Sequence, residues 1–167
     1  MQSQRLLRLF STAILAVVCV SCLAPTSFAQ FSNPADESRS AASIPASALI
    51  QAEALKNLLA GAAEKPVVLQ VGSRIFFAEA HIPGAQYAGP GSQPAGLQLL
   101  QSKTASVKKD KLIVLYCGCC PWGRCPNVGP AYKRLRDLGF TNVKVLYLAE
   151  NFGDDWVAKG YQVEHGQ

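Results

Sequence analysis

A parallel α/β domain is the fold this sequence predicts, and three observations carry it. Residues 67–71, 112–116 and 143–148 are short apolar runs rich in β-branched side chains, the pattern of strands buried on both faces. Between the last two lies a helical stretch, residues 131–138, preceded by Pro130 and closed by Gly139. Strand, helix, strand at these lengths is a right-handed crossover unit, which places both strands parallel in one sheet.

The chain has 167 residues, of which 49% are apolar and 16% charged. That size suits one compact domain, and the composition is the reverse of the charge-rich, apolar-poor balance of disordered chains. The formal net charge is +5, and Lys108, Lys109 and Lys111 form its one tight basic cluster. With no long basic stripe and no interleaved aromatic residues, a nucleic-acid partner is not expected, and the cluster reads as a solvated turn.

Each segment can be read in order. Arg5 and Arg8 precede an uncharged stretch from Leu9 to Val20, then Pro25 and the small-residue site Ser27-Phe28-Ala29, so residues 1–29 read as a secretory signal peptide. An uncleaved anchor and lipidation at Cys22 compete with this reading. The apolar run is short for a bilayer span, and Cys19 stands where a lipidation signal wants a bulky aliphatic residue. The expected product is therefore exported, periplasmic or secreted, with no membrane span after cleavage. Residues 30–48, rich in Ser and Ala with Pro34 and Pro45, read as a flexible linker, and residues 49–167 as the folded domain. Within it, Ala54, Leu55, Leu58 and Leu59 recur at helical spacing before Gly61. The strand at 67–71 follows. Residues 89–96 read as a loop, and 97–100 as a helical turn or two.

The chemistry concentrates after the second apolar run, in Tyr116-Cys117-Gly118-Cys119-Cys120-Pro121-Trp122-Gly123-Arg124-Cys125-Pro126. Four of the six cysteines stand here; the other two, Cys19 and Cys22, fall in the leader. In parallel sheets, reacting groups collect at the carboxyl ends of strands. A helix amino end just beyond offers N–H groups and a positive dipole that stabilise a thiolate. Arg124 is suited to binding a sulfur oxyanion. Clustered cysteines in an exported protein are also ordinary disulfide partners, and a soft-metal site is a further reading of the same thiols. Cys117 to Cys120 has the Cys-x-x-Cys spacing of thioredoxin-like proteins, but those place a cis-proline well downstream, and here no proline follows Pro130. His81 reads as a hydrogen-bonded structural residue, His165 as solvated, Trp122 as a pocket wall and Trp156 as core.

Four segments together resemble the rhodanese-like family. Ala80-His81-Ile82-Pro83-Gly84-Ala85 resembles its His-Ile-Pro-Gly-Ala signature, and Tyr116-Cys117 with the following Arg-containing loop resembles its active-site loop. Leu138-Gly139-Phe140-Thr141-Asn142-Val143 resembles its next helix-to-strand joint, and Trp156-Val157-Ala158-Lys159-Gly160-Tyr161 its closing helix and final turn. The resemblance covers residues 49–164. It implies a twisted parallel sheet of about five strands flanked by helices, and sulfur transfer through a cysteine persulfide.

Three departures bear on the site, one being that the extra cysteines of the loop are unusual for a simple transferase. Gln70-Val71-Gly72 stands where the family commonly has Asp and Arg flanking a Val, so a structural charge pair must be replaced. The family loop runs from Cys through four residues to Arg. Here Cys119 to Arg124 has that spacing, whereas Cys117 to Arg124 has six residues between. Strand geometry favours Cys117 as nucleophile; the arginine spacing favours Cys119. The expectation is an exported sulfurtransferase with Cys117 catalytic. Gly118, Cys119, Cys120, Trp122, Gly123 and Arg124 bind substrate, a small sulfur-containing anion or a thiol acceptor. Cys119, Cys120 and Cys125 are candidates for a resolving thiol or a disulfide, with a redox protein as partner. No cofactor and no resident metal are expected. A thiol-disulfide redox protein on the same fold, or a non-catalytic module binding sulfur compounds, metal or a partner, is the alternative.

Overall fold

The computed structural model describes residues 44–166. The leader at 1–29 and most of the segment read as a linker lie outside the described residues. Five parallel strands, β1 (Leu49–Gln51), β2 (Val67–Gln70), β3 (Gln86–Tyr87), β4 (Ile113–Tyr116) and β5 (Val143–Tyr147), form one sheet in the order β1-β5-β4-β2-β3. Four α-helices connect them: α1 (Ala52–Gly61), α2 (Arg74–Glu79), α3 (Pro94–Thr104) and α4 (Val128–Asp137).

Alternation along the strands divides the core into two layers. Leu69, Ile113, Leu115 and Val145 face Leu100 of α3 and Val128, Ala131 and Leu135 of α4. Val68, Val114, Tyr116 and Leu146 face Leu55 of α1, Phe77 of α2, Phe152 and Trp156. All four residues of β4 are buried, as a central strand covered on both faces requires. The register sets Gln70 beside Tyr116, so the ends of β2 and β4 lie level.

Several boundaries differ from the sequence reading, each for a local reason. β1 and β3 are three and two residues long, too short to display periodicity. The short helix α2 was not read; Ser73 starts it, its Oγ accepting the Ile75 N–H at 3.2 Å. α3 begins at Pro94, inside the stretch read as loop, because proline at the first helical position has no N–H to lose. α4 starts at Val128, with Pro130 in its first turn, and Gly139 closes it at φ 85°. Order also extends before residue 49. Ile44 and Ala48 are buried, and Lys144 Nζ donates to the Ser47 carbonyl at 2.5 Å. The closing helix is one π-helical turn, Gly153–Val157, with Trp156 buried in the core and its Nε1 donating to the Gln162 carbonyl at 2.9 Å. No described helix is long and apolar enough to cross a membrane.

The cysteine loop as candidate active site

Cys117 is the residue after β4, so its place follows from the strand. Alternation turns it toward the α3 and α4 layer, where it is 4% exposed and packs with Cys125. The other three thiols gather on it. Cys119 Sγ lies 3.2 Å from Cys117 Sγ, and Cys120 Sγ lies 3.0 Å from Cys119 Sγ. No disulfide joins them; all four are free thiols.

Two further side chains complete this arrangement: Asn127, which the sequence reading passed over, and Gln70, which it met only as a departure from the family pattern. Asn127, at the junction of loop and α4, donates from Nδ2 to Cys117 Sγ at 3.3 Å. Its Oδ1 accepts from Ser92 N at 3.0 Å and Ser92 Oγ at 2.8 Å, which leaves only the amide N–H groups to face the sulfur. The local signal was a polar residue just before the apolar Val128 at a helix start. Gln70 is 2% exposed and replaces the missing charge pair. Its Nε2 donates to the Cys117 carbonyl at 3.2 Å and to the Ser73 carbonyl at 3.3 Å, while its Oε1 accepts the Gly72 N–H at 3.1 Å. Gly72 is a matter of space, since a Cβ there would sit 2.8 Å from Cys117 Sγ.

These neighbours decide where the charge resides. The Cys117 thiol is held far below its ordinary range, first because Cys119 donates to it, then Cys120, Cys125 and the Cys119 backbone N–H; burial opposes the shift. Cys119, Cys120 and Cys125 are pushed up, chiefly because each serves as donor to Cys117. These opposite directions favour negative charge on Cys117 over its three neighbours.

A cleft of about 700 Å³ opens beside the loop, with Gly118 and Cys119 in its wall. Phe76, Phe152 and Val157 give it an apolar lining, and Phe76 and Val157 are 48% and 41% exposed. Glu79, Asp154 and His165 also line it, and no Lys or Arg does. Of the other residues expected to bind substrate, Cys120, Trp122, Gly123 and Arg124 are not part of this lining. Trp122 packs on Tyr147, ring centroids 5.3 Å apart, and its backbone N–H donates to the Ala149 carbonyl at 3.1 Å. Gly123 and Arg124 are exposed on the short 3₁₀ turn Trp122–Arg124, outside the lining. Among the described residues, no group of three His, Cys, Asp or Glu side chains is arranged to hold a metal ion.

The turn at His81 is structural. His81 stacks on Phe77 at 3.9 Å, its Nδ1 pairs with the Phe77 carbonyl at 2.8 Å, and its backbone bridges to Glu164. Ile82 N donates to the buried Tyr116 hydroxyl at 3.3 Å. His165 is exposed, and its Nδ1 pairs with the Glu79 carbonyl.

A parallel five-stranded sheet carrying a buried free cysteine in the loop after its central strand defines a class of thiol-bearing α/β domains. The Rhodanese-like domain family model matches residues 51–148, and the chain belongs to that family. No curated protein matches it. Among solved structures, it is similar to the Alr3790 protein from Anabaena, at 25% identity and TM-score 0.54 over 70% of this chain and 92% of that one. It is similar also to the BH2092 protein from Bacillus halodurans, at 25% identity and TM-score 0.55 over 70% and 76%. An EanB variant bearing a cysteine persulfide, in a tetrahedral intermediate state with ergothioneine, shares the fold at 22% identity and TM-score 0.53, over 70% of this chain and 28% of that one.

Proposed function

We propose that this chain is an exported sulfurtransferase in which Cys117 carries a sulfane sulfur as a persulfide. The observation that carries the reading is the buried Cys117 sulfur, with Asn127 Nδ2 at 3.3 Å and Cys119 Sγ at 3.2 Å, at the carboxyl end of the central strand. A thiolate is the nucleophile in sulfur exchange. It attacks the outer sulfur of the donor, the new sulfur–sulfur bond forms, and the donor's old one breaks with its electron pair leaving on the donor fragment. An acceptor thiolate then attacks the terminal sulfur of the persulfide and releases Cys117 as thiolate. The cycle consumes no oxidant or reductant.

The cleft narrows the choice of acceptor. With Glu79 and Asp154 in its lining and no Lys or Arg, it favours a neutral or cationic thiol over an inorganic dianion. Its apolar wall suits an organic body. Arg124, outside this lining, is the loop's cation for an anionic donor group. Export rests on the leader read at residues 1–29, and secreted material is expected to begin at Gln30.

The test is persulfide capture. Purified protein is mixed with a sulfane-sulfur donor, alkylated and read by peptide mass spectrometry. Cys117 is expected to carry the added sulfur in the wild-type protein and to give it up to cysteamine. A wild-type protein that gains sulfur on no cysteine would overturn the reading.

A further inference from the structure

Cys117 is 4% exposed, and three neighbours close around its sulfur: Asn127 Nδ2 at 3.3 Å, Cys119 Sγ at 3.2 Å and the Cα side of Gly72, where even a methyl carbon would come within 2.8 Å. The cleft wall contains Cys119 and does not contain Cys117. The thiol best placed to keep charge is therefore set apart from the cleft beside it, with Cys119 in contact with the one and in the wall of the other.

The backbone imposes this placement. Gly118 has φ 81°, a left-handed conformation that side-chain-bearing residues rarely adopt. Its carbonyl accepts the Phe152 N–H at 3.1 Å, and a Cβ on it would come within 2.8 Å of Phe152 Cβ. The chain thus turns sharply at Gly118 against the cleft wall, and Cys119 lies over Cys117 while facing the cleft.

Building on the sulfur-transfer reading above, we propose that Cys119 is the relay thiol of this site, taking sulfane sulfur from a donor in the cleft and passing it across to Cys117. The pair begins as one thiolate and one thiol 3.2 Å apart, so a proton moving from Cys119 to Cys117 exposes a Cys119 thiolate to the cleft. In the first step this thiolate attacks the outer sulfur of an organic persulfide, RSSH. Cys119 becomes a persulfide, the donor sulfur–sulfur bond breaks, and RS⁻ takes up the proton that Cys117 held. In the second step the Cys117 thiolate attacks the terminal sulfur on Cys119. A sulfur–sulfur bond forms at Cys117, the one at Cys119 breaks, and Cys119 leaves as thiolate. One RSSH has become one RSH and one Cys117 persulfide, with the same number of protons and the same single negative charge. Delivery of sulfur to an acceptor thiol is the reverse sequence. Holding the two sulfurs in contact makes the second step intramolecular.

The position of the label tests this. Wild type, Cys117→Ser, Cys119→Ser and Cys119→Ala are exposed to cysteamine persulfide generated in solution, quenched by alkylation at short times and digested, and fragment ions assign the added sulfur to Cys117, Cys119 or Cys120. Wild type is expected to show label first on Cys119 and then on Cys117. Cys117→Ser is expected to retain label on Cys119, and both Cys119 variants to label Cys117 about tenfold or more slowly. Near-wild-type circular dichroism of Cys119→Ala separates this loss from misfolding. Wild-type labelling rates at Cys117 in folded Cys119→Ala, or no label on Cys119 in Cys117→Ser while wild type labels Cys117, would overturn the relay and leave the sulfurtransferase reading standing. Absence of label in wild type itself would remove both.

Discussion

The turn at residues 81–85 and the loop at residues 117–125 are both anchored on the last residue of β4, yet they use polar groups in opposite ways. In the turn, Ile82 N meets the Tyr116 hydroxyl and Gly84 N meets Glu164 Oε2 at 3.0 Å, neutral donors on ordinary acceptors. Burial pushes the Tyr116 hydroxyl up, so it stays protonated and acts as a fixed strut. In the loop, three thiols and an amide converge on one sulfur and stabilise a charge on it. The comparison teaches that the recognisable motif secures the fold, whereas the loop that departs from the family pattern gathers the groups to which the proposed function assigns the chemistry. Substitutions in the two regions should therefore separate stability from reactivity.

The largest expected effect is oxidative. With Cys117 Sγ and Cys119 Sγ 3.2 Å apart, diamide should join them, lowering the free-thiol count by two and abolishing persulfide loading. Mild reduction should restore both. Full loading by a diamide-treated protein with fewer free thiols would locate the new bond away from Cys117.

Gly72→Ala comes next. The added methyl meets the Cys117 sulfur at 2.8 Å and its carbonyl at 3.1 Å. Loading should fall about tenfold or more, with a loss of about 1–3 kcal/mol in denaturant unfolding. Unchanged loading in a folded variant would mean that the sulfur is not confined as described.

The pH dependence should sharpen the contrast further. Because its donors hold the Cys117 thiol low, the thiolate is already present at neutral pH, and raising the pH adds no nucleophile. Wild-type loading should therefore stay flat from about pH 7 to 9, across the range in which a free thiol near 8.5 ionises. Asn127→Leu removes the donor at 3.3 Å and should shift ionisation upward, so that loading slows at neutral pH. The same flat profile and rate in that variant would show that Asn127 does not tune the sulfur.

Variants in the turn should do the reverse. His81→Ala removes the stack on Phe77 and the 2.8 Å bond to its carbonyl, and should cost about 1–3 kcal/mol while loading per folded molecule persists. The smallest effect belongs to Glu164→Gln. Its side chain is 56% exposed and 3.7 Å from His81 Nε2, and the amide oxygen can still accept from Gly84 N. A thermal-unfolding change equivalent to less than about 1 kcal/mol is expected.

Local patterns in the sequence were enough to place the three central strands, the helix after the cysteine loop and the loop itself, because burial imposes a periodicity that a single segment displays. The short edge strands β1 and β3 had too few residues to show one. Cys117 as the residue beyond a buried strand was legible for the same reason, and His81 as a structural histidine from its place in a turn before Ile82-Pro83. Tertiary packing alone decided which sulfur is enclosed and which faces the cleft. It also decided that Gln70 holds the Cys117 backbone from 47 residues away and that Asn127 is oriented by Ser92 from 35 residues away. Hydrogen bonds between segments so far apart leave no periodic trace in either one. They depend on the register of β2 with β4 and on where α4 begins, quantities that exist only once the sheet has formed.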